Sequence, residues 1–525
     1  MGEVTVGAVR RHNGSRKVDA VRCWAVIRPC ALGLSLAIAC PSVFAQEMYR
    51  ITPLGYLGGC KSQPPVAAGL NDRAQVAGRA CNAHGDTHAF VWTNDGTPMM
   101  DLGPSTVGIF SEAVAIDVRG GVLSDAQPSA GEYAFFKGPF TPMAPIHDDL
   151  GGSAVFPYGL NNRSMLAGAA LTAGDVATHA IAWQPGVVQP MTDLGTLGGA
   201  NSVAVSINDS MQVTGTSDLP GNMANHAFFW SPSDGMVDLG TLGGNFSNGL
   251  FINAAGNVVG TSNLVPNGRG HAFFKTYFGP MQDLGTLGGT YSAPTAFNNG
   301  NVVAGNSFKS GPKTTHAFVW MAHGAPMQDL GTLGGMRSFA NAINPAGQVT
   351  GSANLAGDKV AHAFLWRNDG SKIQDLNKLV DPSDPLRSYI TLTAGSFINT
   401  SADVVAVGTD KRTGKQDLYL LQGTVLTLTP SSLAFGSVPI NTTSAAKSVT
   451  MTNNTNKVVY NNIFDLAGSD PTQFAETNTC GNSLGAHKSC TIKLTFKPTT
   501  KGAKSAVLNV NGPGRRSVSL TGTGT

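Results

Sequence analysis

The sequence predicts an all-β chain, an eight-bladed β-propeller followed by an Ig-like β-sandwich. Three observations predict it. A motif recurs at intervals of about 45 residues, the period of blades or solenoid turns. Each interval holds four short strand signals separated by turn residues. An orphan strand signal near the start of the chain matches a missing one near residue 423.

The repeat is clearest in His316-Ala317-Phe318-Val319-Trp320 followed by Met327-Gln328-Asp329-Leu330-Gly331-Thr332-Leu333-Gly334-Gly335. The first position returns as His88, Tyr133, His179, His226, His271, His316, His362 and, degraded, Asp417. Within one unit the strand signals are Ser202 to Asn208, Gln212 to Thr216, His226 to Trp230 and Met236 to Leu239. The third of these is apolar on both faces, as expected of a sheet covered on both sides by neighbours. In the segment after it, Leu239 and Leu242 are expected to pack inward, and Gly243-Gly244 to supply positive φ for a sharp turn.

First-strand signals occur at Val66, Ala113, Val155, Val203, Gly249, Ala293, Phe339 and Leu392. The last unit ends after Asp417 to Leu421 without a fourth strand, while Ile51 to Gly59 aligns with Val237 to Gly244 once Pro53 is allowed one extra step. An N-terminal strand completing the last blade closes a ring without leaving an edge. An open solenoid needs no such match between the two ends.

Composition agrees. Charged residues are 13% of the chain and glycines number 65, which suits an all-β surface protein better than a helical or disordered one. Residues 1–45 read as a secretory signal peptide. A basic lead (Arg10, Arg11, Arg16, Lys17, Arg22, Arg28) precedes an apolar core from Ala31 to Ala39, and Val43-Phe44-Ala45 offers a cleavage site before Gln46. The leader takes the whole basic excess with it and leaves the mature chain near −1, so nothing favours a nucleic-acid partner. The apolar run is too short to span a bilayer, and no transmembrane segment is expected in the mature chain. Lipid anchoring at Cys40 is not expected, because the box preceding it lacks its usual Leu.

Cys23, Cys30 and Cys40 leave with the leader, and Cys60, Cys81, Cys480 and Cys490 remain. Two close pairs after an export signal read as two local disulfides, Cys480 with Cys490 across a turn and Cys60 with Cys81. Neither pair has zinc-ligand spacing.

The combination of His-Ala-Phe with Asp-Leu-Gly-Thr-Leu-Gly-Gly resembles the bacterial extracellular repeats named for that tripeptide, the HAF repeats. The resemblance covers residues 46–423 and implies an exported binding or surface protein with no assigned chemistry. Unit two departs from it, with Tyr133-Ala134-Phe135 and a shortened Asp149-Leu150-Gly151-Gly152. From 424 to 525 the period stops and short alternating strands follow, at Leu426 to Thr429, Lys447 to Thr452, Thr491 to Phe496, Ala506 to Val510 and Ser517 to Thr521, as in an Ig-like sandwich. Leu433-Ala434-Phe435-Gly436-Ser437-Val438-Pro439, the segments around Cys480 and Cys490, and Phe496-Lys497-Pro498 resemble the Ig-like modules of bacterial choice-of-anchor D proteins. Those modules are similar to ASH and HYDIN-type modules. No ciliary role follows, since fold is not function.

The repeated histidines (His88, His179, His226, His271, His316, His362) and the aspartates of Asp-Leu-Gly (Asp101, Asp193, Asp238, Asp283, Asp329, Asp375) are the tempting chemistry. A side chain supplied once per repeat serves something every repeat needs, whereas metal sites need converging ligands with backing groups. We therefore read them as structural positions, with a His–Asp pair inside each unit as one arrangement. No nucleophile elbow, zincin motif or calcium loop is present, and no cofactor is expected. The irregular units are better ligand candidates: Phe135, Phe136 and Phe140 in unit two, and Arg387 with Tyr389 in unit eight. The expectation is an exported, monomeric, non-enzymatic interaction or surface-structural protein with an unknown protein or glycan partner. The alternative is a carbohydrate-active propeller enzyme whose site lies outside known motifs.

Overall fold

The computed structural model describes residues 48–525 except 59–62, 104–109, 128–132, 139–142, 147–149, 185–190, 266–267, 311–313, 323–325, 424–425, 454–458, 461–462, 482, 486–487 and 512–515. The leader, Cys60, Phe140 and Asp149 thus lie outside the described residues. Described secondary structure is almost wholly strand. A single helical turn, Leu376–Leu379, and two 3-10 turns are the exceptions. Among the described residues no helix is long and apolar enough to cross a membrane.

Eight four-stranded antiparallel sheets follow one another between residues 49 and 423. The fourth shows why each forms. Ser202–Ile207, Val213–Asp218, Asn225–Ser231 and Gly235–Asp238 pair in order. The first strand carries a bulge between Ala204 and Ser206. Gly215 faces that bulge, and a Cβ on it would stand 1.9 Å from the Val203 carbonyl oxygen, so only glycine fits there.

Both faces of each sheet are dry, because neighbours cover them. Phe228 packs with Ala167, Ala180 and Ala182 of the third sheet. Its chain neighbour Phe229 points the other way, onto Val258 and Phe273 of the fifth. Such a cluster lies between every pair of successive sheets. Another joins the eighth to the first, where Val405, Leu418 and Leu420 meet Val76, Phe90 and Trp92.

The eighth sheet is assembled from both ends of this region. Ile390–Ile398, Val404–Asp410 and Lys415–Gly423 are completed by Tyr49–Pro53, with Tyr49 opposite Gly423 and Pro53 opposite Tyr419. Tyr49, Ile51 and Leu54 are buried there. Each fully buried side chain of this size stabilises the sheet by roughly 2–3 kcal/mol.

Residues 426–524 form two further four-stranded sheets around one core that includes Val449, Ile492, Phe496, Leu508 and Leu520. Two features differ from the sequence expectation. Ser432–Val438 is itself a strand and runs parallel to Arg516–Gly524. The segment between Cys480 and Cys490 is more than a turn, since Ser483–Leu484 pairs with Val459–Tyr460 and buries Leu484. The buried Leu484 explains this, because the loop contributes an apolar residue to the core and must be held against it.

Candidate functional site

The repeated histidines do not converge on one another. Each instead meets the aspartate at the end of its own sheet, through its Nδ1. The six pairs are His88–Asp101, His179–Asp193, His226–Asp238, His271–Asp283, His316–Asp329 and His362–Asp375, at 2.8 to 3.0 Å. Cross-strand register brings them together, since Phe228 lies opposite Asp238 and His226 sits two residues earlier on the same face. The carboxylate also closes the turn that follows it, and Asp238 accepts the Gly240 N–H at 2.7 Å. Among the described residues no three His, Cys, Asp or Glu side chains converge as metal ligands.

Asp329 shows the electrostatics. Burial opposes its charge, yet Lys309, the Gly331 N–H and His316 outweigh that and hold its carboxyl below the ordinary value.

The turn carrying Asp-Leu-Gly-Thr-Leu-Gly-Gly docks on the next sheet through serines that the motif reading passed over. Ser247, first residue of the fifth sheet, accepts the Ala227 N–H at 2.8 Å and donates to the Gly240 carbonyl at 2.6 Å. Ser202, Ser292 and Ser338 make the same pair of bonds at other junctions. Gly243 sits at φ +118°, and a Cβ on Gly244 would meet the Asn263 Cβ at 2.6 Å. The glycines therefore supply both the turn and the close approach.

A second network lies at the turns between first and second strands. The side chain of Asn208 accepts the backbone N–H groups of Ser210 and Gln212 with Oδ1 and donates from Nδ2 to the Asn253 carbonyl at 2.8 Å. Asn253 donates likewise to Asn298, Asn298 to Asn344, Asn344 to Asn399, and Asn399 back to Asn71 at 3.3 Å. Asn71 donates to Asp117, and Asn161 to Asn208. The Asp117 side chain has no N–H to pass on, and Ser164 Oγ bridges that junction by donating to its Oδ2 at 2.8 Å. The signal for this network was in the sequence, as an Asn or Asp ending every first strand.

The eighth sheet departs from the pattern. Asp417 takes the histidine position and hydrogen-bonds the Tyr56 hydroxyl, and burial pushes its carboxyl above the ordinary value. Partial loss of water around its hydroxyl, together with Asp417, also pushes Tyr56 up, although the residue as a whole is half-exposed. Tyr419 replaces the motif's Phe and is pushed up to about 12, chiefly by burial. Beside them Arg412 pairs with Asp410 at 2.6 Å and lies over the Tyr389 ring at 4.6 Å. Tyr389 is exposed, as is Tyr56. In the second sheet Phe136 is buried in the core shared with the third, so it serves packing.

Cys480 and Cys490 are joined in a disulfide. A loop this short, once closed, contributes on the order of 2–3 kcal/mol in the chain-entropy model. Cys81 is buried and disulfide-bonded, while its expected partner Cys60 is not among the described residues.

Comparison with known proteins divides the chain in the same place. Residues 424–519 match the family described as ASH, abnormal spindle-like microcephaly-associated, ASPM-SPD-2-Hydin. An ASH/PapD-like domain of human CEP192 is similar at 15% identity and TM-score 0.16, covering 19% of this chain and 86% of that one. The chain is also similar to a mutant puromycin hydrolase complexed with PGG at 12% identity and TM-score 0.41, covering 68% of this chain and 60% of that one. The β-propeller domain of the Trilobed protease from Pyrococcus furiosus is similar at 8% identity and TM-score 0.35, covering 61% of this chain and 95% of that one. TolB from Acinetobacter baumannii is similar at 9% identity and TM-score 0.31, covering 64% of this chain and 76% of that one. This chain thus spans less than two thirds of the puromycin hydrolase. At these identities and TM-scores the likenesses say nothing of activity. No curated protein matches the chain.

Proposed function

We propose that the eight sheets are the blades of a β-propeller closed by Tyr49–Pro53, and that propeller and ASH module together form an exported binding protein. Its partner is a glycan or protein captured on the blade surface and left chemically unchanged. One observation carries this reading. The polar side chains that recur in the blades are engaged with one another or with backbone, so the repeated chemistry serves architecture. The leader before Gln46, the disulfide between Cys480 and Cys490 and the HAF-like motif support export.

The runner-up is a carbohydrate-active enzyme, and the eighth sheet favours it: Asp417, with its raised pKa, is the kind of carboxyl that serves as a general acid. One experiment separates the two. The purified chain is applied to a glycan array and a panel of surface proteins, and bound glycans are analysed for new reducing ends. Retention of an unaltered ligand is expected. Cleavage that disappears in Asp417→Asn would overturn the binding reading in favour of the enzyme.

A further inference from the structure

The eighth sheet gathers aromatic side chains that its fold does not require. Among the described residues four aromatic side chains are exposed: Tyr56, Tyr158, Phe278 and Tyr389. Two of them, Tyr56 and Tyr389, stand at one end of this sheet. Tyr389 precedes Ile390–Ile398, and its backbone holds the chain there. Its N–H goes to the Leu386 carbonyl, and its own carbonyl accepts the Lys411 N–H. A smaller side chain would hold that turn equally well. Tyr56 stands where the motif has threonine. In the regular turns that residue, Thr241 for one, closes the Gly-Gly turn through its hydroxyl, a local task that needs no ring.

Strand order sets these side chains in a row. The strands run Ile390–Ile398, Val404–Asp410, Lys415–Gly423, Tyr49–Pro53 across the sheet. At the same end they carry Tyr389, then Asp410 with Arg412, then Asp417, then Tyr56. Three strand spacings make the row roughly 15 Å long. Arg412 holds Asp410 through Nε and Nη2 and lies over the Tyr389 ring, while its Nη1 has no partner among the described residues. Asp417 holds the Tyr56 hydroxyl, and the charge of Asp410 acts on that hydroxyl as well. Asp410 and Arg412 compensate each other, so the row offers two rings with a neutral polar pair between them. Lys411, which donates to the Ser388 carbonyl, and Lys415 share the turn, which makes an acidic glycan the competing ligand.

We propose that this row is a binding site for a neutral hexose chain, with Tyr389 and Tyr56 stacking on sugar rings and Arg412 Nη1 donating to a hydroxyl between them. A pyranose offers both surfaces at once, apolar C–H faces and hydroxyls around the rim. Tyrosine matches it with an apolar body and a polar tip. A protein partner fits less well, because a stable interface takes about 800 Å² from each side and the row spans the end of a single sheet. The inference gives the binding reading above its ligand and its place, and rests on it.

The test is calorimetric titration of the purified chain with cellohexaose, mannohexaose and maltohexaose, and separately with polygalacturonate. Binding of at least one neutral hexamer is expected, unchanged by added salt. Tyr389→Ala should keep the parent's melting curve and weaken that binding about tenfold or more. Tyr389→Phe keeps the ring and should bind within about twofold of the parent. Phe278→Ala, which removes an exposed ring elsewhere, should leave binding unchanged. Should Tyr389→Ala fail to fold, Arg412→Met decides, with a loss of about fivefold expected. Full binding by the folded Tyr389→Ala variant, or binding to polygalacturonate alone, would overturn the site. If every neutral hexamer fails while the array or the protein panel yields a captured ligand, this site falls and the binding function stands. Failure of every arm would remove the binding reading as well.

Discussion

The sixth sheet and the eighth use the same positions for opposite electrostatics. In the sixth, Asp329 sits with His316 and Lys309, and its charge is favoured. In the eighth, Asp417 stands where the histidine would be, with Tyr56 as partner, and its charge is disfavoured. The difference follows from where the chain ends meet. The strand that completes the eighth sheet comes from the other end of the region and brings Pro53 and Tyr56 in place of the usual aspartate and threonine. A periodic motif is thus kept where the local chain can supply both partners, and it is rebuilt where it cannot.

The largest effect is expected from breaking the seam itself. Deleting residues 48–57 removes buried Tyr49, Ile51 and Leu54 and bares the edge of Lys415–Gly423. A loss of at least about 5 kcal/mol is expected in thermal or denaturant unfolding; an unchanged midpoint would contradict a stabilising role for this strand pairing.

A middle-sized effect separates regular from irregular junctions in the asparagine network. Asn208→Asp loses the bonds from Nδ2 to the Asn253 carbonyl and to Gln212 and sets a carboxylate oxygen against that carbonyl. A cost of about 1–3 kcal/mol is expected. Asp117→Asn puts an amide where the network already lacks one, and its stability is expected within about 1 kcal/mol of the parent. Equal losses in the two variants would show that the network does not distinguish them.

The smallest effect is the most diagnostic, because its sign reverses between the two sheets. Asp329 titrates below the ordinary value, so its contribution is complete above the ordinary carboxylate range. It is lost as pH falls through the depressed folded value. Asp329→Asn should therefore destabilise at pH 7 by up to about 1 kcal/mol and do little in acid. Asp417 titrates above the ordinary value, so its charge opposes folding at neutral pH, and that penalty is relieved as pH falls through the raised value. Asp417→Asn should stabilise at pH 7, with the gain fading in acid. Melting curves across pH would expose a common sign, which would refute the contrast.

Most of the architecture was legible because period and alternation are carried by single residues. The strand signals at Val203, Gly249 and Ala293 all fall in first strands. The match of Ile51 to Gly59 with a later gap located the strand pairing across the seam. Contacts that depend on direction were not legible. The Asn at each turn reads as a turn former, and nothing in its identity says that its amide reaches the next sheet. Ser247 carries no distinctive neighbours, yet it joins two backbones. In the ASH module Ser432–Val438 was read as a motif rather than a strand, because parallel pairing with the distant Arg516–Gly524 leaves no local turn to announce it.

The strand Tyr49–Pro53 also fixes an order of assembly. It emerges early in synthesis, and its partner Lys415–Gly423 emerges only after seven sheets are complete. Until then one edge of the nascent stack waits unpaired, and so does the strand that will cover it. Exposed Arg50 and the missing N–H of Pro53 make that waiting strand a poor template for a wrong partner. The segment made first can be seated only last, so its pairing closes the longest loop of this region and bears its largest closure entropy.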